Sequence, residues 1–199
     1  MCNAVKPPKV SVIIPVFNTE RYVGQAIHSI LDQTFSDFEL LVIDDASTDA
    51  SLDVIYSFED PRIRVLRNKV NRKQAYTLNV GLHAASSEYV AILAADDVAT
   101  PKRLEIQASF LDAKPDICMV GTWFHRINSR GDILDLVKTP VDPLAVRWYL
   151  LFGNPIGAST VMIRREIIMR VGGFDETCIA VEDMELWGRI AKYGRIRLA

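Results

Sequence analysis

Short apolar runs alternate with amphipathic segments along the first 125 residues, and this alternation restricts the fold more than any other feature. Runs rich in Val, Ile and Leu predict strands over residues 10–17, 38–45, 62–66, 89–95 and 117–124. Helical periodicity between them predicts helices over residues 19–33, 51–58, 73–85 and 101–111, the first capped by Asn18 and Thr19. Regular β-α alternation predicts an α/β fold, with a mostly parallel central sheet and helices on both faces.

The pattern is looser in the remainder of the chain. It predicts a turn over residues 128–132, a helix over 143–152, a strand over 159–163 and a final helix over 182–193. Residues 195–199 have the composition of a strand that is beginning. No internal repeat or low-complexity linker interrupts the sequence, so we expect one domain over residues 1–199.

Composition excludes several classes of function. The net charge is −2 and no basic run is present, which argues against electrostatic binding of nucleic acid. Three widely spaced cysteines form no metal-binding or disulfide pattern and suit a reducing cytoplasm. The first residues lack the apolar core of a signal peptide, and no run reaches about 18 apolar residues, so no membrane span is expected.

Three pairs of adjacent acids are the candidates for a ligand site: Asp44-Asp45, Asp96-Asp97 and Glu182-Asp183. The first two pairs end apolar strands, and the carboxyl ends of strands are where open α/β sheets bind ligands. Neighbouring carboxylates repel each other and lose solvation when they are buried, so they persist where a cation or polar ligand compensates. The acids therefore predict one cleft that holds a metal and an anionic or polyhydroxylated ligand.

Each pair has both a structural and a functional explanation. Asp44-Asp45 could cap a helix, or accept hydrogen bonds from a nucleobase N–H or a sugar hydroxyl. Asp96-Asp97 could cap the helix near Pro101, or bind Mg²⁺ or Mn²⁺ through hard oxygen ligands. Glu182-Asp183 could serve the structure alone, as favourable charges at the start of a helix, or could supply a general base that faces an acceptor.

Two nucleotide-binding motifs are absent from the sequence, and one polar segment suggests an acceptor site. The sequence contains neither the dinucleotide fingerprint GxGxxG after its first strand nor the phosphate loop GxxxxGK[ST]. Residues 154–160 are small and polar and precede a predicted strand, which suits the floor of an acceptor pocket.

Seven motifs occur in an order that resembles family 2 glycosyltransferases with the Rossmann-like GT-A fold. They are VSVIIPVFN, the helix YVGQAIHSILDQTF, LLVIDDASTD, an NVGL turn, EYVAILAADD, GGFDE and EDMELWGRI. The resemblance implies a donor that is a UDP-, GDP- or dTDP-linked sugar. The residues that it implies for donor binding are Pro15, Val16, Asn18, Asp44, Asp45, Ser47, Lys73 and Asp96.

The same resemblance implies the catalytic groups. Asp96 and Asp97 would bind Mn²⁺ or Mg²⁺, with Asp96 also contacting the ribose. Asp183 would be the base of an inverting hexosyltransferase, supported by Glu182. The resemblance further implies a saccharide, lipid-linked or protein acceptor, and a role in the synthesis of cell-surface polysaccharides or glycoconjugates. The protein would be cytoplasmic, with peripheral association at the inner face of the membrane.

The resemblance also divides the domain. Residues 1–125 would bind the nucleotide-sugar and residues 126–199 the acceptor, and we expect a C-terminal segment of the family to be missing. Ala94 occupies a position where many members carry a further acid. Two alternatives follow: a non-catalytic nucleotide-sugar-binding relative, or a module of a larger protein. A phosphoacceptor signalling domain is disfavoured, because its acid pair would follow the first strand, where this chain has Val16, Phe17 and Asn18.

Overall fold

A computed structural model describes residues 6–198 of the chain, which leaves Cys2 and Ala199 outside the described residues. The strands within this range are β1 (Val10–Val16), β2 (Phe38–Asp44), β3 (Ile63–Arg67), β4 (Tyr89–Ile92), β5 (Ile117–Gly121), β6 (Phe124–Ile127), β7 (Ile133–Val137), β8 (Met162–Arg164) and β9 (Arg195–Leu198). The helices are α1 (Val23–Leu31), α2 (Ser51–Tyr56), α3 (Lys73–Ala84), α4 (Arg103–Ala113), α5 (Pro143–Tyr149), α6 (Arg165–Arg170) and α7 (Glu182–Ile190).

Seven of the described strands form one sheet in the order β3-β2-β1-β4-β8-β5-β9. The pairs β1·β2, β1·β4, β2·β3 and β5·β9 are parallel, whereas β8 is antiparallel to both of its neighbours. The predicted mostly parallel sheet is therefore confirmed. Because β8 pairs with β4 and β5, the second half of the chain completes the sheet of the first half.

Apolar side chains pack on both faces of the sheet. On one face, Val12 belongs to a buried cluster with Ile27 of α1 and Leu104 of α4. On the other face, Ile13 belongs to a cluster with Leu78 of α3 and Trp187 of α7. The alternate residues of β1 thus point into two separate cores, which explains why its sequence is apolar throughout. The predicted helices on both faces are confirmed.

Several predicted boundaries were wrong. The strand predicted over residues 117–124 ends at Gly121, and Phe124 begins the two-stranded hairpin β6–β7. The strand predicted over 159–163 begins as a 3₁₀ turn, Ala158–Thr160, so only Met162–Arg164 pairs. The NVGL motif lies inside α3 and forms no turn. Its glycine lets α3 pack closely on β1, since a Cβ on Gly81 would come within 2.6 Å of Ile13.

The first helix also starts later than predicted. It begins at Val23 without a side-chain cap, so Asn18 and Thr19 do not cap it. Asn18 instead adopts a φ of 52° in the loop after β1. Within residues 6–198, every helix is too short or too polar to cross a bilayer.

Candidate active site

The first acid pair lies where β2 ends, and its two carboxylates have different surroundings. Asp44 is fully buried, and its Oδ1 accepts a hydrogen bond from the Ser47 backbone N–H at 3.1 Å. Its Oδ2 has no hydrogen-bond partner within the described range, although Arg67 Nε lies 3.2 Å away as an ion pair. Oδ2 of Asp44 therefore has an ion-pair partner but accepts no hydrogen bond from the described residues.

Asp45 already carries three hydrogen bonds. Its Oδ1 accepts from Asn68 Nδ2 at 2.7 Å and from the Arg72 backbone N–H at 2.8 Å. Its Oδ2 accepts from the Lys73 backbone N–H at 2.9 Å. Lys73 begins α3 with a φ of 72°, so the carboxylate fixes a strained helix start. In this geometry Asp45 anchors α3 to the end of β2, while the Lys73 residue itself is exposed.

Two loops are joined beside this pair. The Ser47 hydroxyl oxygen accepts from the Asn18 backbone N–H at 3.1 Å, and Asn18 Oδ1 accepts from the Thr48 backbone N–H at 2.8 Å. The Val16 carbonyl accepts from the Asp45 backbone N–H at 2.8 Å, so the ends of β1 and β2 are also joined. The structure therefore brings together the predicted donor contacts Val16, Asn18, Asp44 and Ser47, next to Pro15.

The second acid pair lies four residues beyond the end of β4. Asp96 and Asp97 are both exposed, and the Asp97 backbone N–H closes a tight turn onto the Ala94 carbonyl at 3.1 Å. Surrounding protein atoms reduce the solvation of the Asp97 carboxyl and raise its pKa above the ordinary range. The Ser159 hydroxyl opposes this shift by hydrogen bonding, while the negative charge of Asp96 adds to it.

A buried arginine lies close to this turn, and sequence reasoning missed it. Arg103 of α4 donates from Nη2 to the carbonyls of Ile92 at 2.9 Å and Val161 at 3.0 Å. Its Nη1 has no partner within residues 6–198. Burial lowers the pKa of Arg103 to about 10, opposed by the charge of Asp97. An arginine in the first turn of a helix gives no sequence signal of burial, so only the tertiary structure identifies it.

The polar segment 154–160 connects the second and third acid pairs. The Ser159 hydroxyl accepts from the Ala94 backbone N–H at 2.9 Å, and the Ala94 carbonyl accepts from the Asp97 backbone N–H, so Ser159 supports the turn that carries Asp97. At the other end of the segment, Asn154 Nδ2 donates to Asp183 Oδ2 at 2.7 Å. The sequence predicted this segment as the floor of an acceptor pocket, but it did not predict the hydrogen bond between Asn154 and Asp183.

The third pair begins α7, as predicted. Asp183 is half-buried, and its Oδ1 accepts from the Met184 backbone N–H at 2.6 Å. Glu182 is buried beside it. The carboxylate of Asp183 has about four lone-pair sites and uses two here, so it retains capacity to accept a proton from another group.

The GGFDE loop leads into α7 and is held by α3. Asn79 Nδ2 donates to the Phe174 carbonyl at 2.9 Å, and Asn79 Oδ1 accepts from the Phe174 backbone N–H at 2.9 Å. Gly173 has a φ of 71°, and a Cβ there would lie 2.6 Å from Asn79 Oδ1. Two motifs that are 90 residues apart in sequence are thus one structural unit, which fixes the approach to α7.

The carboxylates of Asp96 and Asp97 suit a cation that is also coordinated by a substrate. Within residues 6–198, no three His, Cys, Asp or Glu side chains form a metal-binding group. Mg²⁺ and Mn²⁺ usually need only one or two carboxylates when substrate phosphates complete their coordination. The adjacent, exposed carboxylates of Asp96 and Asp97 fit this requirement, and a cation would relieve their mutual repulsion. Ala94 supplies no third ligand.

A mostly parallel Rossmann-like sheet with acid pairs after β2 and β4 matches the architecture of the GT-A class of nucleotide-diphospho-sugar transferases, to which the structural relative TarS belongs. The sequence profile described as Glycosyl transferase family 2 matches residues 11–171. The chain therefore belongs to glycosyl transferase family 2.

Individual relatives agree with this assignment. EpsE of Bacillus subtilis is 34% identical over 196 residues, which cover 94% of this chain and 68% of EpsE. WfgD of Escherichia coli is 32% identical over 188 residues, which cover 94% of this chain and 71% of WfgD. WfgD is a UDP-Glc:α-D-GlcNAc-diphosphoundecaprenol β-1,3-glucosyltransferase.

Solved structures show the same fold. TarS 1–349 of S. aureus in complex with UDP-GlcNAc has a TM-score of 0.80 and 25% identity, and the match covers 96% of this chain and 56% of that one. The chain thus spans little more than half of TarS 1–349, and 68% of EpsE.

Proposed function

We propose that this chain is the catalytic part of an inverting, hexosyltransferase-type enzyme. It would move a sugar from a nucleotide-sugar to an acceptor hydroxyl with assistance from a divalent cation. One observation carries the proposal: within residues 154–159, Asn154 hydrogen-bonds to Asp183, and Ser159 hydrogen-bonds to Ala94 in the turn that carries Asp97. A donor site and a candidate base thus share one short wall.

The first two acid pairs support the donor side of the proposal. Oδ2 of Asp44 would accept a nucleobase N–H or a ribose hydroxyl, because it is an acceptor atom that receives no hydrogen bond from the described residues. Asp45 would act mainly by holding the start of α3, with Lys73, against the same end of the sheet. Asp96 and Asp97 would hold Mn²⁺ or Mg²⁺, which when bound neutralises charge on the leaving diphosphate.

Asp183 is our candidate base. Asn154 and the Met184 N–H fix the orientation of its carboxylate, which leaves lone pairs free for an acceptor O–H. Asp183 would take that proton as the acceptor oxygen bonds to the anomeric carbon. The bond from that carbon to the diphosphate breaks, and its electron pair leaves with the nucleoside diphosphate. Buried Glu182 would support Asp183 at the helix start.

The relatives support a class of donor and acceptor. TarS binds UDP-GlcNAc, and WfgD transfers glucose from UDP-Glc to a diphosphoundecaprenol-linked sugar. We therefore propose a UDP-linked donor and a lipid-linked saccharide acceptor, in the synthesis of a cell-surface polysaccharide or glycoconjugate. Such an acceptor would place the protein in the cytoplasm at the inner face of the membrane.

A thermal-shift screen of UDP-, GDP- and dTDP-sugars with Mn²⁺ or Mg²⁺ tests the donor side. A matching pair should raise the melting temperature, and Asp97→Asn should remove the shift. Asp53→Asn is a matched control, because Asp53 is an exposed acid on α2. If no nucleotide-sugar shifts the melting temperature with either cation, the proposed donor site is wrong.

A transfer assay then tests the catalytic role of Asp183. Asp183→Asn should preserve the thermal shift and abolish transfer to a polyprenol-diphosphate-linked sugar. Donor binding without transfer by the unaltered protein would instead favour the non-catalytic alternative.

A further inference from the structure

The surface of α5 and of the turn that follows it is unusually apolar. Leu144, Trp148, Leu151 and Phe152 are 66%, 60%, 71% and 81% exposed. At about 100° per residue these four positions share one side of the helix, opposite the fully buried Val146. Past the end of α5 the backbone continues as a tighter turn, in which Leu151 and Phe152 bond to the carbonyls three residues before them, so these two side chains lie near the same side. We call these four side chains the α5 stripe.

A positively charged cavity borders the stripe. It encloses about 440 Å³, and Leu144 of the stripe lines it together with Arg147, Lys192 and Arg195. No acidic residue lines this cavity. Arg195 is paired with Asp116 at 3.2 Å, whereas neither Arg147 nor Lys192 forms an ion pair within the described part of the chain. Two uncompensated cations therefore lie next to a large apolar surface.

Neither of two nearby acids forms an ion pair with Arg147 or Lys192 within the described residues. Asp142 caps α5 by accepting from the backbone N–H groups of Leu144 and Ala145. Asp183 is engaged by Asn154. The region thus combines Trp, Phe and Leu side chains with cations at their edge, which is typical of helices that lie in a membrane interface.

We propose that the α5 stripe and the adjacent cavity form a docking surface for an anionic phospholipid bilayer. The stripe would enter the boundary between headgroups and acyl chains, while Arg147 and Lys192 contact lipid phosphates. Charge complementarity favours this occupant over a second copy of the chain. A two-fold interface would place the same surface against itself and bring Arg147 and Lys192 of the two copies close together.

The position of the stripe adds a consequence for the proposed reaction. Phe152 is two residues from Asn154, which holds the candidate base Asp183. A docked chain would therefore present Asp183 at the membrane surface, where a lipid-linked hydroxyl would be found. This consequence rests on the proposed function, but the docking does not, because vesicle binding can be measured without donor or acceptor.

Vesicle sedimentation tests the proposal directly. The unaltered chain should bind phosphatidylcholine vesicles that contain about one third phosphatidylglycerol. Leu151→Ser with Phe152→Ser should weaken this binding at least about tenfold, because two large side chains lose their burial. Ile133→Ser with Leu134→Ser is the matched control, because these hairpin residues are 66% and 63% exposed, and it should bind as the unaltered chain does.

A second variant tests the charged part of the surface. Arg147→Gln with Lys192→Gln should lose about fivefold in affinity per cation on the anionic vesicles, and little on phosphatidylcholine alone. Vesicle addition should shift the tryptophan fluorescence to the blue, and this shift should disappear in Trp148→Phe. That result would place the stripe in the lipid even if the Leu151→Ser, Phe152→Ser variant does not fold.

Three results would overturn the proposal. The first is no binding of the unaltered chain to anionic vesicles. The second is equal binding by the folded stripe variant, with no Trp148-dependent fluorescence change. The third is a dimer in sedimentation velocity that the stripe variant converts to monomer, which would assign the surface to a second copy.

Discussion

Asp45 offers the sharpest test of how this site is built, because its carboxylate is buried and serves the fold directly. The substitution Asp45→Ala removes the acceptor of three hydrogen bonds and leaves Asn68 and two backbone N–H groups at the start of α3 without it. Lys73 would lose its hold on a φ of 72° at the same time. We expect the helix start and the preceding loop to loosen together.

The magnitude follows from these contacts. A hydrogen bond to a charged group contributes about 1.5–3 kcal/mol, and the exposed positions of Arg72 and Lys73 let water replace part of what is lost. We therefore expect the free energy of unfolding to fall by about 3–4 kcal/mol. For a domain of this size, that corresponds to a decrease in melting temperature of about 10 °C.

Urea denaturation of both proteins, followed by circular dichroism, measures this difference, with Asp96→Ala as the control. Asp96 is exposed, so its substitution should change the free energy of unfolding by less than about 0.5 kcal/mol. A loss below about 1 kcal/mol for Asp45→Ala, at an unchanged denaturant slope, would refute the anchoring role. If Asp45→Ala left the stability nearly unchanged but abolished donor binding, Asp45 would be a direct ligand contact.

Three further changes have defined outcomes. Against the opposing effect of burial, hydrogen bonds led by the Ser86 backbone N–H keep the pKa of Glu39 below its ordinary range. The stabilisation from ionised Glu39 is present above the unfolded-state pKa and disappears as pH falls through the folded-state pKa. The loss of unfolding free energy caused by Glu39→Gln, measured by urea denaturation, should therefore shrink between neutral pH and about pH 3. A loss that stays constant with pH would contradict this. Gly173→Ala should lower the free energy of unfolding by about 2 kcal/mol, because residue 173 has a φ of 71° and its new Cβ would collide with an asparagine oxygen of α3; an unchanged denaturation midpoint would contradict the strain. Asn154→Ala should reduce transfer more than about tenfold in a single-turnover assay through misorientation of Asp183, and should leave donor-induced thermal shifts intact; loss of those shifts would show that the residue acts on the donor side.

The fold was largely predictable because its central strands are buried on both faces. Val12 and Ile13 enter opposite cores, so β1 shows the continuous apolar run expected of a parallel sheet. The insertion of β8 between β4 and β5 was not predictable in the same way. Only three residues pair there, and their partners are set by chain packing far from them in sequence.

The candidate site was predictable as a set of acids but not as a set of contacts. Adjacent carboxylates after apolar runs are visible in the sequence, whereas the partners of Asp45 and Asp183 come from distant segments. Arg103 illustrates the limit, since its burial depends on carbonyls of residues 92 and 161 that meet only in the folded sheet. No local pattern contains this information.

The segment from Asn154 to Ser159 has a thermodynamic consequence. It is six residues long and hydrogen-bonded to the candidate base at one end and to the turn of Asp97 at the other. On the proposed function, a cation or donor that repositions the turn would change how tightly Asn154 is held, and by linkage an acceptor bound at Asp183 would change donor affinity by the same factor. We expect the two substrates to bind cooperatively, because a single strip of backbone supports both.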